Sequence, residues 1–337
     1  MTAVEFDPAR LSEYLRGAFP GEAGPLTLAR ISGGQSNPTF YCDWGSRRMV
    51  LRKQPPGELL RGAHAIDREY RVMSALAETD VPVPSLLAYE DDARVIGTPF
   101  YLMTRLEGRV FQPYGLPDLR RADRTPALLS MARTLARLHS VNPHSVGLSD
   151  FGRTGDYFAR QFSRWSRQYE ASAGPRLPDL DALQAWLEVN LPADDGKGAI
   201  AHGDFRMGNM MLHPTEPRVI AVLDWELSTL GHPLADLGFA SMAWFSAPDE
   251  YGGLLGLDLE AEGLPSHHDF VAAYTEAAPP TAPLRPFHIA FAMFRFAVIF
   301  VGIADRARSG SAAGENAALL APMAAAFAHR GRDIAGI

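Results

Sequence analysis

The sequence predicts an α+β protein whose strands and helices are segregated along the chain. Three observations predict it. Five β-like runs crowd into roughly the first hundred residues, with one amphipathic helix among them. Helical periodicity dominates from Asp118 onward, and 337 residues exceed what one hydrophobic core commonly holds. The expected division is a small β-rich N-terminal lobe, residues 1–107, and a larger, mainly helical C-terminal lobe, residues 108–337.

Asp7-Pro8 followed by Leu11, Tyr14 and Leu15 predicts a capped helix that stops at Gly17 to Pro20. Strand-like runs follow at Leu26–Ile31, Thr39–Trp44 and Arg48–Lys53, the first two joined by Ser32 through Pro38 and the next two by Gly45-Ser46. His64 to Glu78 carries Ile66, Tyr70, Met73 and Ala77 at helical spacing, and Val81-Pro82-Val83-Pro84 breaks it. Leu86–Tyr89 and Pro99–Thr104 complete the strands of this region, and Thr104–Gly108 reads as a hinge. Helices are expected at Thr125–Ser140, Asp156–Glu170 and Leu180–Leu191, the second with Phe158, Phe162, Trp165 and Tyr169 on one face. A short β interruption, Met210–Leu212 and Val219–Leu223, flanks a turn at His213 to Pro217.

Composition excludes several classes. Apolar and charged fractions of 47% and 21% are those of a globular protein rather than a disordered one. A net charge of −7 favours neither nucleic acid nor an anionic membrane surface. The lone Cys42 offers no intramolecular disulfide, and Met1 to Arg16 has no uninterrupted apolar run, so a cytoplasmic setting is expected. Phe287 to Ala304 is nearly apolar, but His288 and a central Arg295 make it read as a buried helix rather than a membrane span. No obligate protein partner is evident.

Chemistry concentrates in His202-Gly203-Asp204-Phe205-Arg206-Met207-Gly208-Asn209, followed by Asp224-Trp225-Glu226. Asn209 precedes one short strand and Asp224 follows the next. An antiparallel hairpin would bring both to its open end, where an amide oxygen and a carboxylate suit Mg²⁺ together with substrate phosphates. Asp204 on the same loop suits the acceptance of a proton from an attacking hydroxyl. A metallohydrolase reading, with His202, Asp204, His213 and His232 as ligands, lacks the helical His-Glu-x-x-His pattern.

The Asp204 to Asn209 spacing, with Asp224 beyond it, resembles the protein-kinase catalytic loop and its metal-binding aspartate. With His-Gly-Asp at its head, the chain is similar to the aminoglycoside phosphotransferase and choline kinase family. It resembles most the kinase-like domain fused to some acyl-CoA dehydrogenases, through Gly33 to Phe40, His202 to Asn209, Leu223 to Leu227 and Gly231 to Gly238. The resemblance covers nearly the whole chain; no dehydrogenase segment accompanies it in this sequence. It implies a bilobal protein-kinase-like fold, ATP and Mg²⁺ as cofactors, Asp204 as catalytic base, and Asn209 and Asp224 as metal ligands.

The resemblance also implies a nucleotide site. Gly33-Gly34 is no Walker A motif, since a strand follows it; it is either a plain β-turn or a loop that covers phosphates with its N–H groups and with Ser36 and Asn37. Arg52 stands where kinases carry a phosphate-binding lysine, and the alternation of Val50 and Arg52 turns Arg52, not Lys53, toward the nucleotide. Glu69 is the expected partner of Arg52, and the backbone at Thr104 to Leu106 the expected adenine contact. Asp236 is expected to brace the catalytic loop.

The acceptor is a small molecule with a hydroxyl, and the association with dehydrogenases suggests a hydroxyacyl-CoA or related hydroxy compound. Aminoglycosides would require an acidic pocket, for which Asp249-Glu250, Asp258, Glu260 and Glu262 are the candidates, and a choline-like alcohol would require an aromatic cage. The rival from another class is a nucleotide-binding pseudokinase scaffold, which the arginine at position 52 keeps open.

Overall fold

The computed structural model describes residues 5–31, 37–57, 65–279, 281–308 and 317–337. The described chain divides into two units. The first comprises Met1–Gly108 and Ile220–Ser228, the second Arg109–Val219 and Thr229–Ile337.

In the first unit, the Asp7 side chain accepts from the Ala9 N–H at 2.9 Å and caps α1 (Pro8–Ala18). Five strands follow the expected runs closely: β1 (Leu26–Arg30), β2 (Thr39–Trp44), β3 (Arg47–Lys53), β4 (Leu86–Glu90) and β5 (Phe100–Thr104), with α2 (Ile66–Leu76) between β3 and β4. They form one antiparallel sheet in the order β1-β2-β3-β5-β4, so β3 is an interior strand. One face packs Phe40, Cys42, Met49, Leu51, Phe100 and Leu102 against Leu11 and Leu15 of α1. Each fully buried leucine there contributes roughly 1.5–3 kcal/mol.

The grouping of Ile220–Ser228 with the first unit departs from the contiguous division expected from sequence. Its cause is local. The Val222 N–H donates to the Pro82 carbonyl at 2.9 Å, Arg68 of α2 donates to the Ser228 carbonyl at 3.3 Å, and the Trp225–Leu227 turn packs on α2.

The second unit contains β6 (Arg109–Val110), α3 (Arg121–Ser140), α4 (Tyr157–Glu170), α5 (Pro178–Val189), β7 (Ala199–Ala201), β8 (Met210–Leu212) and β9 (Val219–Val222), the last running on into the first unit's segment. Then come β10 (Thr229–Gly231), α6 (Pro233–Ser241), α7 (Leu259–Glu262), α8 (His267–Ala277), α9 (Pro286–Arg308) and α10 (Ala317–Ala335). Three short strands, β6, β7 and β10, were not expected from sequence; at two or three residues each they carry no readable alternation. Helix α3 begins before Thr125-Pro126, the point where its start was expected, because a proline within the first turns of a helix removes few internal hydrogen bonds.

Helix α9 is long and apolar enough to cross a membrane, yet 72% of its most apolar window is buried inside the protein. It packs against α10, α6, α4 and α5 and forms the core of its unit. Phe158 and Phe162 of α4 meet Phe287, Phe291 and Phe294 of α9, which makes that aromatic face core packing.

Candidate active site

In the first unit the sheet register places Thr39, Arg52 and Tyr101 side by side, since Arg52 pairs with Thr39 across β2–β3 and with Tyr101 across β3–β5. Side chains alternate along a strand, so these three share the face that meets Glu69 of α2. Arg52 Nε donates to Glu69 Oε2 at 2.7 Å, Arg52 Nη2 donates to Asp224 Oδ1 at 2.7 Å, and the Tyr101 hydroxyl donates to Glu69 Oε2 at 3.1 Å. The Asn37 amide donates to Glu69 Oε1. Glu69 is 1% exposed, and a carboxylate so buried requires this set of donors.

Burial depresses the Arg52 pKa, but the charges of Glu69, Tyr101 and Asp224 outweigh it and the net shift is upward. Arg52 is therefore a permanent cation. Lys53 turns to the opposite face, is buried, and donates to the Gln54 carbonyl at 3.0 Å. Burial pulls its pKa down. Asp224 sits in the left-handed region at φ 63°, a conformation that costs a non-glycine residue about 1–3 kcal/mol and that clusters at functional sites.

Of the expected nucleotide contacts, Gly34 and Ser36 lie outside the described residues. The Thr104 and Arg105 N–H groups are committed to the Ser85 and Arg48 carbonyls. The Leu106 N–H has no protein acceptor among the described residues.

In the second unit the catalytic-loop motif alternates between anchors and polar groups. His202, Phe205 and Met207 are fully buried, while Asp204 and Arg206 keep about a fifth of their side chains exposed, 22% and 21%. Gly203 adopts φ 84°, which a side chain would disfavour. Its N–H donates to Asp236 Oδ1 at 2.9 Å, and the His202 N–H donates to Asp236 Oδ2 at 2.6 Å. Asp236 thus braces the loop as its sequence context suggested. Burial pushes the Asp236 pKa up, but the His139 hydrogen bond, the neighbouring histidines and the Gly203 N–H outweigh it, and the net shift is downward.

Asp204 receives two donors on one oxygen. Asn209 Nδ2 reaches its Oδ2 at 2.8 Å and Arg206 Nε reaches the same atom at 3.2 Å, while Oδ1 has no partner among the described residues. Asn209 also donates to the Asp204 carbonyl at 2.9 Å, so its amide nitrogen faces the loop and its amide oxygen is left to accept. The His202 Nδ1 accepts from the Asp204 N–H at 3.2 Å. His213 Nδ1 accepts from the Glu216 N–H at 3.2 Å, and His232 caps α6 through the Leu234 N–H. Each of these rings is thus tied to a separate backbone turn, which disfavours their convergence on one metal.

Arg206 Nη1 donates to Gln112 Oε1 at 3.1 Å, and its guanidinium carbon lies 5.4 Å from the Tyr251 ring centre. A Cβ at Gly208 would come within 2.4 Å of that guanidinium, so the glycine is needed where Arg206 lies. Among the described residues Arg206 is the only charged one lining a pocket built from Tyr114, Phe239, Tyr251, Phe296 and Phe327. Three of the five carboxylates expected from sequence to form an acidic acceptor pocket are engaged elsewhere, and none of the five lines this pocket. Glu250 pairs with Arg330 at 2.9 Å, Glu262 pairs with Arg124, and Asp258 caps α7.

Arg295 is a loop contact that sequence reasoning missed. It donates through Nη2 to the Gly203 carbonyl. Its only signal in sequence is a charge in the middle of an otherwise apolar helix.

Comparison with known proteins places these features in a family. The model of the phosphotransferase enzyme family matches residues 27–278. Acyl-CoA dehydrogenase family member 11 of Gallus gallus is 41% identical over 98% of this chain, which spans 43% of that protein's length. The crystal structure of a candidate aminoglycoside phosphotransferase from Ralstonia eutropha is 42% identical, covers 98% of each chain and superposes with a TM-score of 0.88. A thermostable mutant of a further aminoglycoside phosphotransferase, solved with AMP-PNP and hygromycin B, shares the fold at a TM-score of 0.61, with 15% identity over 95% of this chain and 98% of that one. The chain has the α+β, protein-kinase-like fold of these proteins and belongs to the phosphotransferase enzyme family.

Proposed function

We propose that the chain transfers the γ-phosphoryl group of ATP to a hydroxyl of a small, largely apolar molecule, with Asp204 as the general base. The observation that carries this reading is the asymmetry at Asp204: Asn209 and Arg206 both hold Oδ2, and Oδ1 is left to take a proton. The acceptor hydroxyl passes its proton to Oδ1 as its oxygen bonds to the γ-phosphorus, and the bond to the bridging oxygen of ADP breaks. Such a transfer depends mainly on positioning and electrostatics.

Each proposed ligand has the chemistry that magnesium takes. The Asn209 amide oxygen and the Asp224 carboxylate are hard oxygens, and Mg²⁺ commonly takes one or two protein ligands and completes its shell with phosphate and water. When bound, the ion neutralises charge on the phosphates. Arg52, oriented by Glu69, and the N–H of Leu106 serve the phosphates and the adenine respectively. Arg52 makes the glutamate pair expected of a lysine there, so the substitution does not favour a scaffold without catalysis.

The aromatic residues beside Arg206 line a cavity of about 30 Å³, room for a small apolar group, which supports an acceptor such as a hydroxy acid or its CoA thioester. A polycationic aminoglycoside would meet the Arg206 cation there, with Asp204 already paired to it as the nearby carboxylate. The test is ADP release from Mg-ATP with hydroxyacyl-CoAs, free hydroxy acids, choline and aminoglycosides. Stimulation by the hydroxyacyl compounds is expected. Stimulation by aminoglycosides alone would overturn the acceptor assignment, and Mg-ATP binding without stimulation by any class would overturn the enzyme assignment.

A further inference from the structure

Arg295 lies midway along α9 and is flanked by Phe294 and Phe296, both buried. A guanidinium in such a place is costly unless its charge is met. Among the described residues no carboxylate lies within ion-pair distance of it. Its guanidinium carbon instead sits 5.7 Å from the Trp165 ring centre on α4 and 5.3 Å from the Phe239 ring centre on α6, and its Nε is buried without a hydrogen-bond partner. Among the described residues the one acceptor it reaches is the Gly203 carbonyl.

That carbonyl belongs to the peptide that joins Gly203 to Asp204. The N–H of the same peptide donates to His202 Nδ1, and the two preceding N–H groups donate to Asp236. Among the described residues Arg295 therefore supplies the one hydrogen bond that holds this peptide by its oxygen. With both ends of the peptide fixed, its plane sets the direction in which the Asp204 side chain leaves the backbone. The faces of Trp165 and Phe239 also draw the cation, and the Gly203 carbonyl is the hydrogen-bond acceptor that fixes its direction.

We propose that Arg295 is a positioning residue of the transfer reaction: it orients the Gly203–Asp204 peptide from α9 and so aims the Asp204 carboxylate. This rests on the phosphotransferase reading for its kinetic consequence, but the effect on the loop itself does not. A misplacement of the base by a fraction of an ångström to 1 Å lowers turnover by on the order of 10- to 100-fold without altering nucleotide affinity.

The test compares Arg295→Met and Arg295→Lys with the wild-type chain, using the acceptor that gives the fastest ADP release. Arg295→Met is expected to lower kcat by on the order of 10- to 100-fold, with KM for ATP changed less than about 2-fold. Arg295→Lys, which keeps one donor, is expected to recover part of the loss. Amide exchange across residues 202–209 is expected to accelerate in the Met variant while exchange in α9 stays as in the wild type. Unchanged kcat, or a fall in kcat with unchanged loop exchange, would overturn the proposal. Were the Met variant unable to fold, the Lys variant with unchanged kcat and loop exchange would overturn it equally. Exchange is read without acceptor, so a failure of the phosphotransferase reading leaves accelerated loop exchange in place, whereas a failure of this proposal does not.

Discussion

Arg52 and Asp224, 172 residues apart in sequence, are joined by a 2.7 Å ion pair in the first unit. The same guanidinium is held by Glu69, so one cation serves two carboxylates. Arg52 thus occupies the Asp224 oxygen proposed as a magnesium ligand. On that proposal, Mg-ATP would exchange one positive partner of Asp224 for another.

This arrangement separates two substitutions. Arg52→Met strips the buried Glu69 of its charged partner and is expected to destabilise the protein by roughly 3–5 kcal/mol. It is also expected to raise KM for ATP. Arg52→Lys keeps the charge but loses the fork geometry, and is expected to cost less in stability while still raising KM. Denaturant unfolding and ATP titration check both; equal stability of the Met variant and the wild type would contradict the pairing.

Gly208→Ala tests the seat of Arg206. The added Cβ lies 2.4 Å from Arg206 Nη1 and 2.6 Å from Gln112 Oε1, both ends of flexible side chains. Arg206 should therefore move rather than the fold fail. Turnover is expected to fall on the order of 10-fold with little change in Tm. Unaltered turnover would show that the place of Arg206 beside Asp204 is immaterial.

Asp236→Asn keeps the size of the side chain but removes the charge that meets His139 and the His202 and Gly203 N–H groups. A loss of roughly 3 kcal/mol in unfolding free energy is expected, with a larger fractional loss in turnover than in ATP affinity. Calorimetry of unfolding and steady-state kinetics provide the two readings.

Acid sensitivity follows from buried histidines. Burial, with His232 beside it, pushes the His288 imidazole down to about 4, and burial does the same for His267, also to about 4. The unfolded chain titrates these groups near 6.5, so it binds more protons than the folded one between these limits. Their contribution is full above about pH 6.5 and is lost as pH falls toward about 4, on the order of 3 kcal/mol per histidine. His288→Gln is expected to lose less Tm than the wild type between about pH 7.5 and about pH 5. An equal loss in both proteins would assign the acid sensitivity elsewhere.

Much of this was legible in the sequence where periodicity or spacing carries the signal. The alternation of Val50 and Arg52 places Arg52 on the α2 face, and the resemblance to kinases pointed to Glu69 of α2 as its partner. The spacing from Asp204 to Asn209 put both on one loop, where a 2.8 Å hydrogen bond joins them. Contacts that arise only in three dimensions were hidden. Arg295 reaches Gly203 from 92 residues away, Gln112 reaches Arg206 from 94, and neither stands in a motif. The grouping of Ile220–Ser228 with the first unit was hidden as well, because it depends on Pro82 and Arg68 rather than on its own composition.

The central claim, that Asp204 is the base of a phosphoryl transfer, is tested most directly by ADP formation in Asp204→Ala at saturating acceptor, with Mg-ATP affinity measured separately by calorimetry. The account predicts a fall in turnover of on the order of 100-fold or more, with the Mg-ATP Kd changed less than about 3-fold. Turnover equal to that of the wild type would contradict it.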